Sequence, residues 1–212
     1  MLAGRIVLAP GAPCWPGEPR GQGRQRIVLL RGARRGEACG HQWGTSDLDG
    51  TGKGAPYLSV DRPILLIGGT RTEGKPKTSG SERLTWLDAV TVKMLRAHHT
   101  EQTKARLRAG PAWEDNDLIF CHADGSPYRP DYVYRRFRRL AKDAGLPVIR
   151  LHDGRHTAVS VMDAAGVDRS VRMAEVGHVT EQMHDRYTHV DAARHQAAAE
   201  LTAAFVGKAA GQ

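Results

Sequence analysis

The chain has 212 residues, with 31 Lys and Arg against 23 Asp and Glu, for a formal net charge of +8. That length holds one sizeable domain, or a domain with an arm, and an apolar fraction of 40% argues against general disorder. The basic balance, with a pI near 9.8, points to an anionic partner, nucleic acid first and an acidic membrane surface second. Cys14, Cys39 and Cys121 are scattered, odd in number and form no C-x-x-C pair, so they imply neither a disulfide framework nor a zinc ribbon and fit a reducing cytoplasm. No apolar run approaches the roughly 20 residues of a membrane helix. Gly and Pro interrupt the short apolar stretch from Met1 to Pro16, against a secretory signal.

Residues 1–26 read as an irregular segment, with Pro10, Pro13, Pro16 and Pro19 among glycines and arginines. From Arg26 the pattern changes, and 27–212 reads as one domain. Ile27 to Leu30 lead into Gly32-Ala33-Arg34-Arg35-Gly36-Glu37, an apolar segment ending in a helix entry. Between Tyr57 and Leu87 three short runs predict a small three-stranded antiparallel sheet: Leu58 and Val60 in alternation, Ile64 to Ile67, and Arg83 to Leu87. Gly74, Pro76 and Gly80 mark a turn that contains Lys77.

Beyond Leu87 the pattern is mainly helical. Asp88 caps a helix with apolar Val90, Val92 and Leu95. A looser stretch, Asn116 to Pro130, holds Leu118-Ile119-Phe120 and a Gly125 turn. A helix over Asp131–Ala144 buries Val133, Phe137, Leu140 and Ala144 and stops at Gly145. Ala158, Val161, Met162 and Ala165 mark the next, stopped by Gly166, and Ala197, Leu201, Ala204 and Phe205 stripe the last. The fold class is α+β, mostly helical.

Three short signals carry chemistry. In His152-Asp153-Gly154-Arg155-His156-Thr157, positions three apart share a helix face, so His152 and Arg155 point together. A helix start also offers free N–H groups and partial positive charge to a phosphate, although the hexapeptide alone better suits a polar helix entry. Gly177-His178 follows, and nine positions after His178 comes Tyr187 in Asp185-Arg186-Tyr187-Thr188-His189. Each of these alone is an ordinary turn or a half-buried aromatic.

In this order the signals resemble the carboxy-terminal motif of tyrosine recombinases, the phage integrase type. Gly32 to Glu37 is similar to that family's first arginine box, with Arg34 at the catalytic position. Lys75-Pro76-Lys77-Thr78 is similar to its β-hairpin lysine, here Lys77, and the resemblance extends from about residue 27 to 206. It implies a DNA breaking-rejoining core and six catalytic residues: Arg34, Lys77, His152, Arg155, His178 and Tyr187. It further implies attack by Tyr187 to give a 3′-phosphotyrosyl link, without metal, cofactor or ATP. Such chemistry needs fixed cations around a five-coordinate phosphorus, and a guanidinium that stays charged and grips two oxygens supplies them. A phenol of pKa about 10 needs a base, for which His152 is the candidate, and Lys77 is the candidate acid for the leaving 5′-oxygen. Arg135, Arg136, Arg138, Arg139 and Lys142 lie away from their helix's apolar stripe and are expected phosphate contacts.

The resemblance implies double-stranded DNA as partner, a homo-oligomer that is a tetramer at synapsis, exchange of the carboxy-terminal tail between protomers, and no membrane. Abundant Arg, Ala and Gly suggest a GC-rich bacterial source. Three alternatives stay open: a type IB topoisomerase-like activity, a catalytically weak or inactive DNA-binding remnant, and a zinc site at His152 and His156. The last lacks the Glu that should follow the first His, since Asp153 stands there. Family members carry a helical DNA-binding domain before the first arginine box, whereas only about 30 residues precede Arg34, so a truncated or frameshifted product is expected. Ala33 stands where Leu is usual, and Gly154 costs its helix about 1 kcal/mol.

Overall fold

The structure is a computed structural model. It describes Ile27 and residues 30–60, 63–67, 70–73, 83–143, 145, 153–176 and 192–210. Ile27, Leu30 and Arg31 are helical, and the helix α1 (Arg35–Gly40) that follows begins where Glu37, in its first turn, reaches back to accept the Arg34 N–H at 2.7 Å. That bond satisfies a donor the helix cannot and fixes where it starts.

Four strands follow: β1 (Tyr57–Val60), β2 (Ile64–Ile67), β3 (Thr70–Glu73) and β4 (Arg83–Trp86). β1 pairs antiparallel with β4, Tyr57 opposite Trp86, and β2 with β3, Ile64 opposite Glu73. The small antiparallel structure lies where the pattern predicts it, but as two two-stranded ladders with a fourth strand, not one three-stranded sheet. β3 reads Thr-Arg-Thr-Glu and contains no apolar residue, so no alternation announces it. α1 lies close on β2: a Cβ on Gly36 would stand 2.6 Å from the Ile64 carbonyl oxygen.

α2 (Ala89–Ala109) is capped by Asp88, which accepts from the Thr91 N–H at 2.9 Å and the Thr91 hydroxyl at 2.7 Å. Thr91, Val92, Leu95 and His98 form its buried face. Val90, expected on that face, is exposed, because two residues before Val92 is about 200° around the helix. A short 3-10 turn (Gly110–Ala112) leads to the 113–129 connection, which buries Leu118, Ile119 and Phe120 as expected. α3 (Pro130–Asp143) buries Val133, Phe137 and Ala141, while the Leu140 side chain and Ala144 lie outside the described residues. α4 (Asp153–Ala164) buries Ala158, Val161 and Met162, and Gly145 and Gly166 take positive φ where helix stops were predicted. α5 (Arg169–Val176) and α6 (Ala192–Ala210) complete the chain's described elements.

On α6 the predicted stripe is rotated. Ala198, Ala199, Thr202 and Val206 are buried, Ala197 and Ala204 are exposed, Phe205 is half-buried and Leu201 is 50% exposed. In so alanine-rich a helix, a face turned by one residue is about as apolar, and the Thr202 hydroxyl settles inside by donating to Ala198 O at 2.7 Å.

Two apolar clusters hold these elements. The larger joins Ile27, Leu30, Leu58, Ile64, Leu87, Leu95, Phe120 and Phe137. The smaller joins α4, α5 and α6 through Ala158, Met162, Val167, Val171, Val176 and Ala198. A buried polar junction links them, in which Arg31 Nη2 donates to Asp88 Oδ2 at 2.7 Å and to Ala199 O at 3.1 Å; at its exposed edge the Ala89 N–H donates to Glu200 Oε1 at 2.8 Å. Among the described residues, no helix is long and apolar enough to cross a membrane.

Candidate catalytic site and nucleic-acid face

The site is built around Gly32. Its φ of +63° is left-handed backbone that favours glycine, and a Cβ there would stand 2.9 Å from Val176 Cγ1 and 3.3 Å from Arg155 Cγ. Three segments therefore meet at one Cα: the arginine box, the first turn of α4, and the end of α5 just before Gly177-His178. The missing side chain is what lets them touch.

Arg34 follows two residues later at the entry to α1. Its Nη1 donates to Glu37 Oε1 at 2.7 Å, with Arg34 54% exposed and Glu37 6%. The carboxylate, gripped at both oxygens by Arg34's own N–H and guanidinium, aims the cation while leaving much of it open to solvent. Arg155 is buried on α4, and its Nη1 donates to Gly32 O at 3.2 Å. Two of the six expected catalytic residues, Arg34 and Arg155, are thus drawn to the same turn of backbone. The other four, Lys77, His152, His178 and Tyr187, lie outside the described residues.

α3 separates its faces sharply. Arg135, Arg138, Arg139 and Lys142 are exposed and line a shallow surface depression with Asp143. Arg136 departs from the expectation: it is half-buried, since it neighbours Phe137 and Val133 around the helix and turns towards the covered side. Two of the exposed arginines face carboxylates one turn away, Arg135 to Asp131 at 3.7 Å and Arg139 to Asp143 at 3.9 Å. Burial opposes ionisation of Asp131, but the Arg129 hydrogen bond and the charges of Arg129 and Arg135 hold its carboxyl below the ordinary range. These pairs are long and solvated, so they compete weakly with a phosphate. Arg138 also lies over the Tyr134 ring, 5.8 Å from its centroid.

Residues 24–194 match the model of the phage integrase family. The chain belongs to that family. An integrase of Streptomyces ambofaciens is 34% identical over 167 residues, an alignment covering 74% of this chain and 42% of that protein. This phage integrase family chain thus spans less than half the length of that curated relative. Among solved structures, the integrase from mycobacterium phage Brujita aligns with a TM-score of 0.61 at 15% identity, over 95% of this chain and 56% of that one. The Tn1549 transposon integrase, solved in complex with transposon right end DNA, gives 0.60 at 18% identity, over 85% and 59%. The helical architecture with its small antiparallel ladders is therefore the fold of integrase catalytic domains.

Three polar residues of this integrase-family chain escaped the sequence reading. Glu37 was visible as part of the box, yet nothing marked it as the partner that orients Arg34. Arg31 and Glu175 are buried charged residues, which pattern analysis assigns to solvent. The only signal for Glu175 is its place in a helix whose flanking residues, Val171 and Val176, are apolar and buried.

Proposed function

We propose that this chain is the catalytic domain of a site-specific recombinase that integrates a mobile element by cleaving and rejoining double-stranded DNA. The domain runs over residues 27–212, with residues 1–26 as a separate amino-terminal segment. Tyr187 attacks the scissile phosphate and forms a 3′-phosphotyrosyl link. Arg34 and Arg155 hold the non-bridging oxygens as charge builds on them, and His178 adds a donor. His152 takes the phenol proton, and Lys77 returns one to the 5′-oxygen that leaves. The covalent link keeps the phosphodiester energy, so a second 5′-hydroxyl can rejoin the strand without ATP or another cofactor.

The observation that carries this function is the convergence at Gly32. Arg155 and Val176, the residue that precedes Gly177-His178, pack against Gly32, two residues before the solvent-open Arg34. Two arginines held this near along the backbone, one open to solvent and one anchored on the Gly32 carbonyl, suit an oxyanion. The exposed cations of α3 supply phosphate contacts, and the complex of the Tn1549 integrase with transposon DNA supports duplex DNA as the partner. The enzyme works in the bacterial cytoplasm and assembles as a tetramer on paired sites.

A nicked suicide duplex copied from the DNA flanking the gene tests the reaction. The chain should form a covalent protein–DNA adduct, and Tyr187→Phe should keep DNA binding and lose the adduct. An adduct that persists in that variant, or forms elsewhere in the peptide map, overturns the assignment of Tyr187.

A further inference from the structure

His195 lies outside every motif that points to catalysis, yet it joins three elements. Its Nδ1 is 2.7 Å from Glu175 Oε1 near the end of α5, and its ring stacks on Trp86 of β4 with centroids 5.5 Å apart and an angle of 17°. His195 itself belongs to the first turn of α6. Each element continues directly into an expected catalytic segment. α5 runs into Gly177-His178, α6 is entered from the Tyr187 segment, and β4 emerges from the turn that holds Lys77.

We infer that His195, held by Glu175 and Trp86, is a positioning residue that fixes the chain ends on either side of the His178–Tyr187 segment. This rests on the recombinase function proposed above and deepens it. The pair joins residues 20 apart, and so ties together the two points from which the chain leaves for the expected catalytic segment and returns from it.

Energetics favour a positioning role over a purely stabilising one. Glu175 is buried beside Val171 and Val176, which belong with Ala158, Met162 and Ala198 to the smaller apolar cluster. A carboxylate placed there must be stripped of water, and a buried pair of this kind often contributes little net stability. What a carboxylate adds is direction: it accepts a hydrogen bond from one nitrogen of one imidazole. The flat stack on Trp86 then sets the plane of that ring. Trp86 is fixed in turn by pairing opposite Tyr57 across the β1–β4 ladder.

The experiment uses the full chain and the variants His195→Ala, Glu175→Leu and Glu175→Gln, each with two readouts. Deuterium uptake by peptides spanning 177–191, measured without DNA, should rise several-fold in His195→Ala and Glu175→Leu, with uptake along 89–109 unchanged. Glu175→Gln keeps an acceptor for the imidazole and should restore the wild-type pattern. On the nicked duplex at saturating protein and well below the unfolding temperature, adduct formation should slow by roughly ten- to a hundredfold in the first two variants. Their DNA affinity should stay within about twofold of wild type, and Glu175→Gln should recover the rate. Unchanged uptake in His195→Ala overturns the inference, as does a rate loss that only follows the folded fraction. If the wild-type chain forms no adduct while uptake rises as described, the recombinase function falls and the clamp itself stands.

Discussion

Among the described residues, Gly32 is the one at which the segments of the site meet. A methyl group there meets Val176 at 2.9 Å and forces a left-handed backbone on an L-residue. Gly32→Ala should therefore destabilise the fold by about 1–3 kcal/mol, read as a lowered thermal midpoint. Its effect on adduct formation should exceed what the loss of folded protein explains, because Arg155 and Val176 must both retreat. A variant with unaltered stability and rate would mean that the close approach is not a constraint. Arg34 and Arg155 were legible in the sequence only through motif order, since nothing local distinguishes them from the chain's other arginines. Their partners were not legible at all. A glutamate three residues from an arginine is common on any helix surface, and a backbone carbonyl leaves no mark in a sequence.

At the scale of elements, apolar spacing located every described helix from Asp88 onward except α5, and three of the four strands. It failed where pattern carries no energy. β3 is polar throughout, and α6 is so rich in alanine that turning it by one residue changes little buried area. The face that is covered includes Thr202 and half-covers His195, residues that a search for apolar stripes discards. On α3, Val133 and Phe137 are buried and Arg135, Arg138, Arg139 and Lys142 exposed as the sequence predicts, Arg136 is not, and the helix yields a quantitative test. If Arg135 and Arg139 contact phosphates, replacing both by Gln should flatten the dependence of log binding constant on log salt by about 1.8, at roughly 0.9 per contact. The loss should be the same for any duplex sequence. A slope that does not move would reduce these arginines to a solvated face paired with Asp131 and Asp143.

For the whole molecule, two features matter. The first is the junction of Arg31, Asp88 and Ala199, which ties the arginine box to α2 and α6. Both charges are almost fully buried, so Asp88→Ala strands the guanidinium and removes the α2 cap. The expected cost is about 3–5 kcal/mol in urea unfolding. A cost below about 1 kcal/mol, the scale of an exposed pair, would show the junction to be dispensable. The second is the exposed line of Ala197, Leu201 and Ala204 on α6. It leaves apolar surface at the end of the chain where the proposed tetramer would exchange contacts. Leu201→Asp should therefore block pairing of two DNA sites, followed by gel mobility, while sparing cleavage of a single site and the thermal midpoint. Unfolding of that variant would instead place Leu201 in its own domain's packing.

The Arg31 to Ala199 contact spans 168 residues of sequence and has a consequence for synthesis on the ribosome. At about 5–20 residues per second, roughly 8–34 seconds separate translation of the arginine box from translation of the carbonyl that completes its anchor. During that interval Arg31 can meet Asp88 but not α6, and Gly32 waits almost as long for Val176. A nascent chain therefore carries Arg34 with its Glu37 partner before Val176 and Ala199 arrive to pack the box, and on the proposed function it would hold DNA by charge before it could cut it. In the recombinase proposed here, competence to cleave DNA would come only after α6 has been made.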